Sequence, residues 1–416
     1  MDVTVPSKGQ LRLGKVDGNL YIEDGGVIEV EGEELVVAGS VICHGDAEIR
    51  GSVRAEAFEG RYREEGFRRF QREGGRIRVQ GNLNVRNEVD VRGRLGVKGG
   101  LSAREVDIGG ALEVDKEVFC ESIDVGGKLD VGGKLKTSSL SVGGSAHIGG
   151  ETEAERVNVG GKIELEGLCK IRSLRCGGKA DVSGGEIDDI DVGGSFECTG
   201  ELSFKKINVG GKVALKKGKG EQIDVGGKLE ASGDLGVEEI DVGGAVEVDG
   251  SLEGRSVDVG GSVRVGGDMT LSGDIDVGGA IRVKGLGKMR SLDVGGSIEA
   301  DGVIAEEDAE IGGKVSTSRG LKARRIRLGR RGSAFGPLIG EDVRIGREAE
   351  VEDVYAGYLE LESDASAKNL YVQRARIGRG CRIYGTVKYV ESIDVERDAN
   401  LSAPPEKVQS LPAPPL

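Results

Sequence analysis

Gly109, Gly126, Gly143, Gly160, Gly177, Gly193, Gly210, Gly226, Gly243, Gly260, Gly278, Gly295 and Gly312 each open a Gly-Gly doublet, nearly always after valine. Adjacent doublets stand 16–18 residues apart, most often 17. A fixed self-similarity of one supersecondary length is the signature of a solenoid and outranks any single local motif. A chain built this way folds as one unit stacked on itself, each unit touching mainly its neighbours.

The interior of the repeat sets the kind of unit. Between Ile223 and Val242, apolar residues pair at i, i+2: Ile223 with Val225, Leu229 with Ala231, Leu235 with Val237, Ile240 with Val242. That is strand periodicity, two side chains inward with an outward residue between. Three such strands per repeat predict an all-β, three-sided (triangular) β-helix or β-solenoid of about 17 residues per coil. Glycines at its corners are expected to supply positive φ. The rhythm continues upstream at Leu35, Val41, Ala47 and Val53, and downstream at Val343/Ile345, Ala349/Val351 and Leu359/Leu361. From Leu20 to about Val390 this predicts roughly twenty coils, a rod on the order of 100 Å at ~4.8 Å per rung. The pattern does not fix the handedness.

Composition agrees. The 416 residues include 74 glycines and no tryptophan, and aromatics make up 3%, which leaves little for a large rounded core. A hydrophobic content of 37% is too high for a disordered chain. The net charge of −14 argues against nucleic acid as partner. No apolar run approaches the ~20 residues that span a bilayer. The start, Met1-Asp2-Val3-Thr4-Val5-Pro6, has no secretory pattern, so a cytoplasmic location is expected.

Interruptions of the rhythm divide the chain. Residues 1–57 form N-terminal coils, and 58–76 an aromatic and Arg-rich excursion. Residues 77–323 are the regular array, 324–337 a basic seam, 338–400 C-terminal, tyrosine-bearing coils, and 401–416 a proline-rich tail. In the excursion, Phe58, Tyr62, Phe67 and Phe70 alternate with arginines and make a candidate contact surface for a partner or a membrane. The seam concentrates Arg324, Arg325, Arg327, Arg330 and Arg331, a candidate patch for an acidic partner or anionic lipid. In the tail, Pro404, Pro405, Pro412, Pro414 and Pro415 lack the N–H that a sheet needs, so the solenoid is expected to stop before a disordered segment.

Candidate chemistry is sparse. Cys43, Cys120, Cys169, Cys176, Cys198 and Cys381 all fall at inward i, i+2 positions and are expected to fill the core as small hydrophobes. Before the doublets, Asp107, Asp124, Asp191, Asp224, Asp241, Asp258, Asp276 and Asp293 line an outward column, interrupted by Ser141, Asn158, Arg175, Asn208 and Glu310. The column is expected to be a solvated acidic stripe; the nine-residue calcium-roll pattern is absent. The doublets join strand to strand with no G-x-x-x-x-G-K-[ST] loop, so they do not cradle phosphate. His44 and His147 have no recurring acid or nucleophile beside them, which gives no catalytic residue, cofactor or metal site.

Segments such as Ile223-Asp-Val-Gly-Gly-Lys-Leu-Glu-Ala-Ser-Gly and Ser256-Val-Asp-Val-Gly-Gly-Ser-Val-Arg-Val-Gly-Gly, with the proline-rich end, resemble the bactofilins. These are polymer-forming cytoskeletal proteins of bacteria with archaeal relatives. The resemblance implies a right-handed β-helix and a non-enzymatic structural protein. It further implies end-to-end, nucleotide-independent self-association through terminal coils, and a scaffold for other proteins, often at a membrane surface. This array is several times longer than the compact family domain and carries no apolar N-terminal targeting segment. The alternative is a non-polymerising spacer that recruits partners through its tail and excursion. A β-helix acyltransferase or carbohydrate-active enzyme fits less well, because the first uses 18-residue coils with a placed histidine and the second long loops with carboxylate or arginine clusters.

Overall fold

The structure is a computed structural model that describes residues 1–61 and 75–416. These residues contain strands and no helix, and the strand pairings are parallel. Within each of two compact units, Met1–Gly210 and Gly211–Leu416, they stack as β-solenoid turns, about 23 in all, slightly more than the expected twenty.

In the first unit, one turn comprises Glu105–Ile108, Ala111–Val114 and Val118–Phe119. Each strand pairs with its counterpart one turn later, Val106 with Ile123, Leu112 with Leu129 and Val118 with Leu135. Parallel ladders therefore connect these turns, with a repeat of 17 residues. In the second unit the same ladders are seen where Ile240 meets Val257, Val246 meets Val263 and Leu252 meets Met269. Valine, leucine and isoleucine at these positions are buried in stacked columns. Fully burying each such side chain is worth about 1.5–3 kcal/mol, and β-branched residues suit a pleated surface.

The corner glycines correct one expectation. Positive φ occurs at Gly25, Gly32, Gly45, Gly51, Gly184, Gly185, Gly320, Gly336 and Gly380, and at none of the Val-Gly-Gly doublets. What the doublets require is close approach. A Cβ on Gly126 would lie 2.4 Å from the carbonyl oxygen of Gly109, and one on Gly127 2.4 Å from that of Gly110. Backbone hydrogen bonds hold the corners at this separation: Gly126 N–H donates to Ile108 O at 2.8 Å, and Gly127 N–H to Gly110 O at 2.8 Å. The doublet is a stacking requirement carried from turn to turn.

Two boundaries also move. Pairing begins at Val3–Val5, which lies on Leu20–Ile22, within the N-terminal coils of residues 1–57 and one turn before the Leu20 from which coils are counted. At the other end Glu406–Lys407 pairs with Lys388–Tyr389, inside the segment expected to be a disordered tail.

Candidate interaction surfaces

In each unit the outward columns of two of the ladders differ in charge. In the ladder after the corner, lysines and acids interleave between turns. In the first unit Lys162 pairs with Glu164 at 3.0 Å and Asp181 at 3.4 Å, and Lys179 with Asp181 at 2.7 Å and Glu197 at 3.2 Å. In the second unit Lys228 pairs with Glu230 at 2.9 Å and Glu247 at 2.7 Å. His147 belongs to this ladder; its Nδ1 lies 3.1 Å from Asp130 and its Nε2 3.2 Å from Glu166. The Asp130 hydrogen bond, aided by Glu166, raises its pKa above the usual histidine value against a smaller desolvation effect. An imidazole held between two carboxylates is poised as a cation in an ion-pair column.

The ladder before the corner carries the expected acidic column. In the second unit Asp224, Asp241, Asp258, Asp276, Asp293 and Glu310 stand on successive rungs. The first five have no ion-pair partner among the described residues; Glu310 meets Arg327 at 3.6 Å. Beside the column runs an open groove of about 610 Å³, lined among others by Glu239, Ser256, Asp274 and Ser291. In the first unit burial, followed by repulsion from Asp90, Asp124 and Glu105, raises the pKa of Asp107. No group of three or more His, Cys, Asp or Glu side chains suited to a metal ion occurs among the described residues.

The aromatic excursion divides. Phe58 lies in the strand Ala57–Arg61, pairs with Val41 and Val89, and is 0% exposed. It is a core residue, not part of a contact surface, because it stands on the ladder at the inward position. Tyr62, Phe67 and Phe70 lie outside the described residues.

The first part of the basic run lies within a strand. Lys314–Leu328 is one unbroken strand. Its register sets Arg325 against Asp308 and Arg327 against Glu310. Arg324 reaches Glu307 at 3.9 Å, Arg325 hydrogen-bonds Asp308, and Arg330 and Arg331 each meet Glu348 at 2.7 Å. Each of the five arginines meets an acid of an adjoining turn, with Arg330 and Arg331 sharing Glu348.

The proline-rich segment is also placed. Beyond Glu406–Lys407, Val408 N–H donates to Tyr389 O at 2.8 Å. Lys322 Nζ donates to the backbone oxygen of Leu416 at 3.4 Å. Pro404, Pro412, Pro414 and Pro415 are exposed and Pro405 is half-buried, as are Val408, Leu411 and Leu416. The surface beneath them was not singled out by the sequence. On successive rungs the outward positions there are Ile304, Lys322, Ile339, Tyr355 and Tyr371. Ile339 is only 7% exposed, and the Tyr355 and Tyr371 rings stack at 4.8 Å. Apolar residues at outward positions of Leu338–Ile345 and Glu350–Leu361 were the available signal.

Of the cysteines, Cys43, Cys169, Cys176, Cys198 and Cys381 are buried as expected, and Cys120 is half-buried. Burial pushes the Cys43, Cys120 and Cys169 thiols up to about 12, far from the thiolate that nucleophilic chemistry needs. No helix among the described residues is long and apolar enough to cross a membrane.

The fold defines a parallel β-solenoid repeat protein. No protein-family model, curated protein or solved structure matches the chain.

Proposed function

We propose that this chain is a non-enzymatic structural scaffold of the bactofilin kind, whose copies join end to end without nucleotide. The observation that carries the reading is the open first rung. Among the described residues Val3–Val5 pairs with Leu20–Ile22 on one side and with no strand on the other. Val3 N–H donates into the stack, to Asn19 O at 2.9 Å. Alternate residues of a strand direct their N–H groups to opposite neighbours, so Thr4 presents its donor to the open edge. An unpaired parallel edge is a template for another strand. A further solenoid rung is the surface that matches its spacing.

A structural role is also supported by the ion-paired histidine and by thiols with raised pKa values. The six unbridged cysteines fit a reducing compartment such as the cytoplasm. The acidic column, by like-charge repulsion, disfavours sideways association along its own face.

Electron microscopy of the purified protein across salt and concentration tests this. Expected are particles of several lengths in multiples of one copy, which revert to single copies in Thr4→Pro with strand content unchanged by circular dichroism. Single copies under every condition would overturn the reading and favour the spacer alternative.

A further inference from the structure

The segment after Lys407 does something that a spacer does not: it turns back along the solenoid. Its near end is fixed by Val408 N–H on Tyr389 O at 2.8 Å, and its far end by Lys322 Nζ on the Leu416 backbone oxygen at 3.4 Å. A Cβ built on Gly302 would lie 3.5 Å from Leu416 Cδ1, which places that side chain over the Gly302 corner beside Leu286. Lys388, beside Tyr389, is linked rung by rung through Tyr371, Tyr355 and Ile339 to Lys322. Four rungs at about 4.8 Å cover roughly 19 Å, and Gly302 lies one rung further. Residues 408–416 as an extended polyproline-type strand at about 3.1 Å each span roughly 25 Å. The segment therefore matches the stripe in length.

It also matches in chemistry. Val408 and Leu411 are three residues apart, one polyproline turn, and so share a face. They and Leu416 are half-buried, whereas Pro412, Pro414 and Pro415 look outward. The stripe offers Ile304, Ile339 and the stacked Tyr355–Tyr371 pair, an aliphatic and aromatic surface of the type that proline-rich ligands use. Ile339 stands at an outward position yet is 7% exposed.

Attachment is light. Among the described residues its ladder pairing is the two-residue strand Glu406–Lys407, extended by the Val408 N–H bond, and the prolines beyond have no N–H to donate. Ahead of it, Pro404 and Pro405 separate this strand from Asn400–Leu401 and provide a stiff hinge. An identical segment on another molecule fits the same stripe by construction, and exchange of an identical element is a low-cost route to linked copies.

We propose that the outward stripe Ile304–Ile339–Tyr355–Tyr371 is a docking groove for residues 408–416, occupied in one molecule by its own segment and able to take that of a second copy. Strap exchange then links copies through their sides at this groove. It rests on the self-associating reading only in that the partner is another copy, and it uses a surface other than the terminal strand edges. At low concentration the molecule's own strap dominates, because its short tether gives it a high effective concentration.

Crosslinking tests the proposal on the full-length chain. Lys322→Cys with Leu416→Cys, in a Cys120→Ser background, places two accessible thiols where Lys322 and Leu416 meet. A short thiol-specific bifunctional reagent should then give an intrachain product in dilute solution. Incubating two size-tagged copies together at high concentration should add a mixed interchain product that rises with concentration. Leu411→Asp should lower both products at least tenfold. Intrachain product alone at every concentration, no product of either kind, or yields indifferent to Leu411→Asp would each overturn strap exchange. Repeating the mixing in the Thr4→Pro background separates the two ideas: exchange persists there even if end-to-end joining fails.

Discussion

A single corner glycine shows what fixes the repeat. A Cβ on Gly243 would meet the Gly226 carbonyl oxygen at 2.6 Å, whereas a Cβ on Gly236 meets nothing within 4 Å, and neither residue has positive φ. Gly243→Ala must push two turns apart and is expected to cost about 1–3 kcal/mol, as overpacking does. Gly236→Ala narrows the unfolded ensemble without a clash and is expected to stabilise by about 0.4–1 kcal/mol. Urea unfolding of the two variants should give opposite signs; equal signs would remove the stacking argument. His147 makes a second case. Its pKa is raised in the folded chain by Asp130 and then Glu166, so its ion pairs stabilise fully below the unfolded value near ~6.5 and lose that contribution as pH rises through the folded value. His147→Gln is therefore expected to destabilise more at pH ~6 than at pH ~8.5 in denaturant titrations, and a loss independent of pH would contradict it. The sequence made the inward valines, outward aspartates and buried cysteines legible, because period two alone decides which face a side chain takes. It did not reveal why the doublets are glycine, since a clash with the turn below is invisible until turns are stacked.

Strands and their register explain both the charge pattern and the sequence expectations that failed. In the linear sequence Phe58 belongs with the aromatic excursion because alternation stops after it, yet it lies on one ladder with Val41 and Val89. Similarly, the run from Arg324 to Arg331 looked unbalanced in the linear chain, where its acids stand a turn away; register sets Asp308 against Arg325 and Glu310 against Arg327. Linear charge counts mislead in a solenoid, where the effective neighbours are about 17 residues distant. The acidic column is the exception that survives stacking. Asp258 has Asp241 and Asp276 on the rungs at either side. At ~4.8 Å each carboxylate pair repels by about 0.9 kcal/mol at the dielectric of water, and less as salt screens it. Asp258→Asn is accordingly expected to stabilise by a few tenths of a kcal/mol at ~0.15 M salt and by more at ~0.01 M. Thermal unfolding at the two salt concentrations checks it. A destabilised variant at low salt would mean that the carboxylate has a favourable partner, such as a bound cation.

For the molecule as a whole, the proposed end-to-end joining works against the net charge. Each chain carries −14, so two copies repel wherever they approach. The end turns carry exposed charges of both signs, among them Lys8, Arg12, Lys15, Asp394, Arg397 and Asp398. Exposed pairs are worth about 0–1 kcal/mol each, whereas the repulsion sums over many charges within the screening length. That length is about 30 Å at ~0.01 M salt and about 8 Å at ~0.15 M. Added salt therefore removes more repulsion than attraction, while the backbone hydrogen bonds of an added rung are uncharged and persist. Mean particle length in electron micrographs is expected to grow as salt rises from ~0.01 to ~0.15 M. Side-to-side linkage through the strap groove depends on apolar contact and should not weaken over the same range. Shortening of the particles with added salt would show that the charged groups of the end rungs, not their open strand edges, hold copies together.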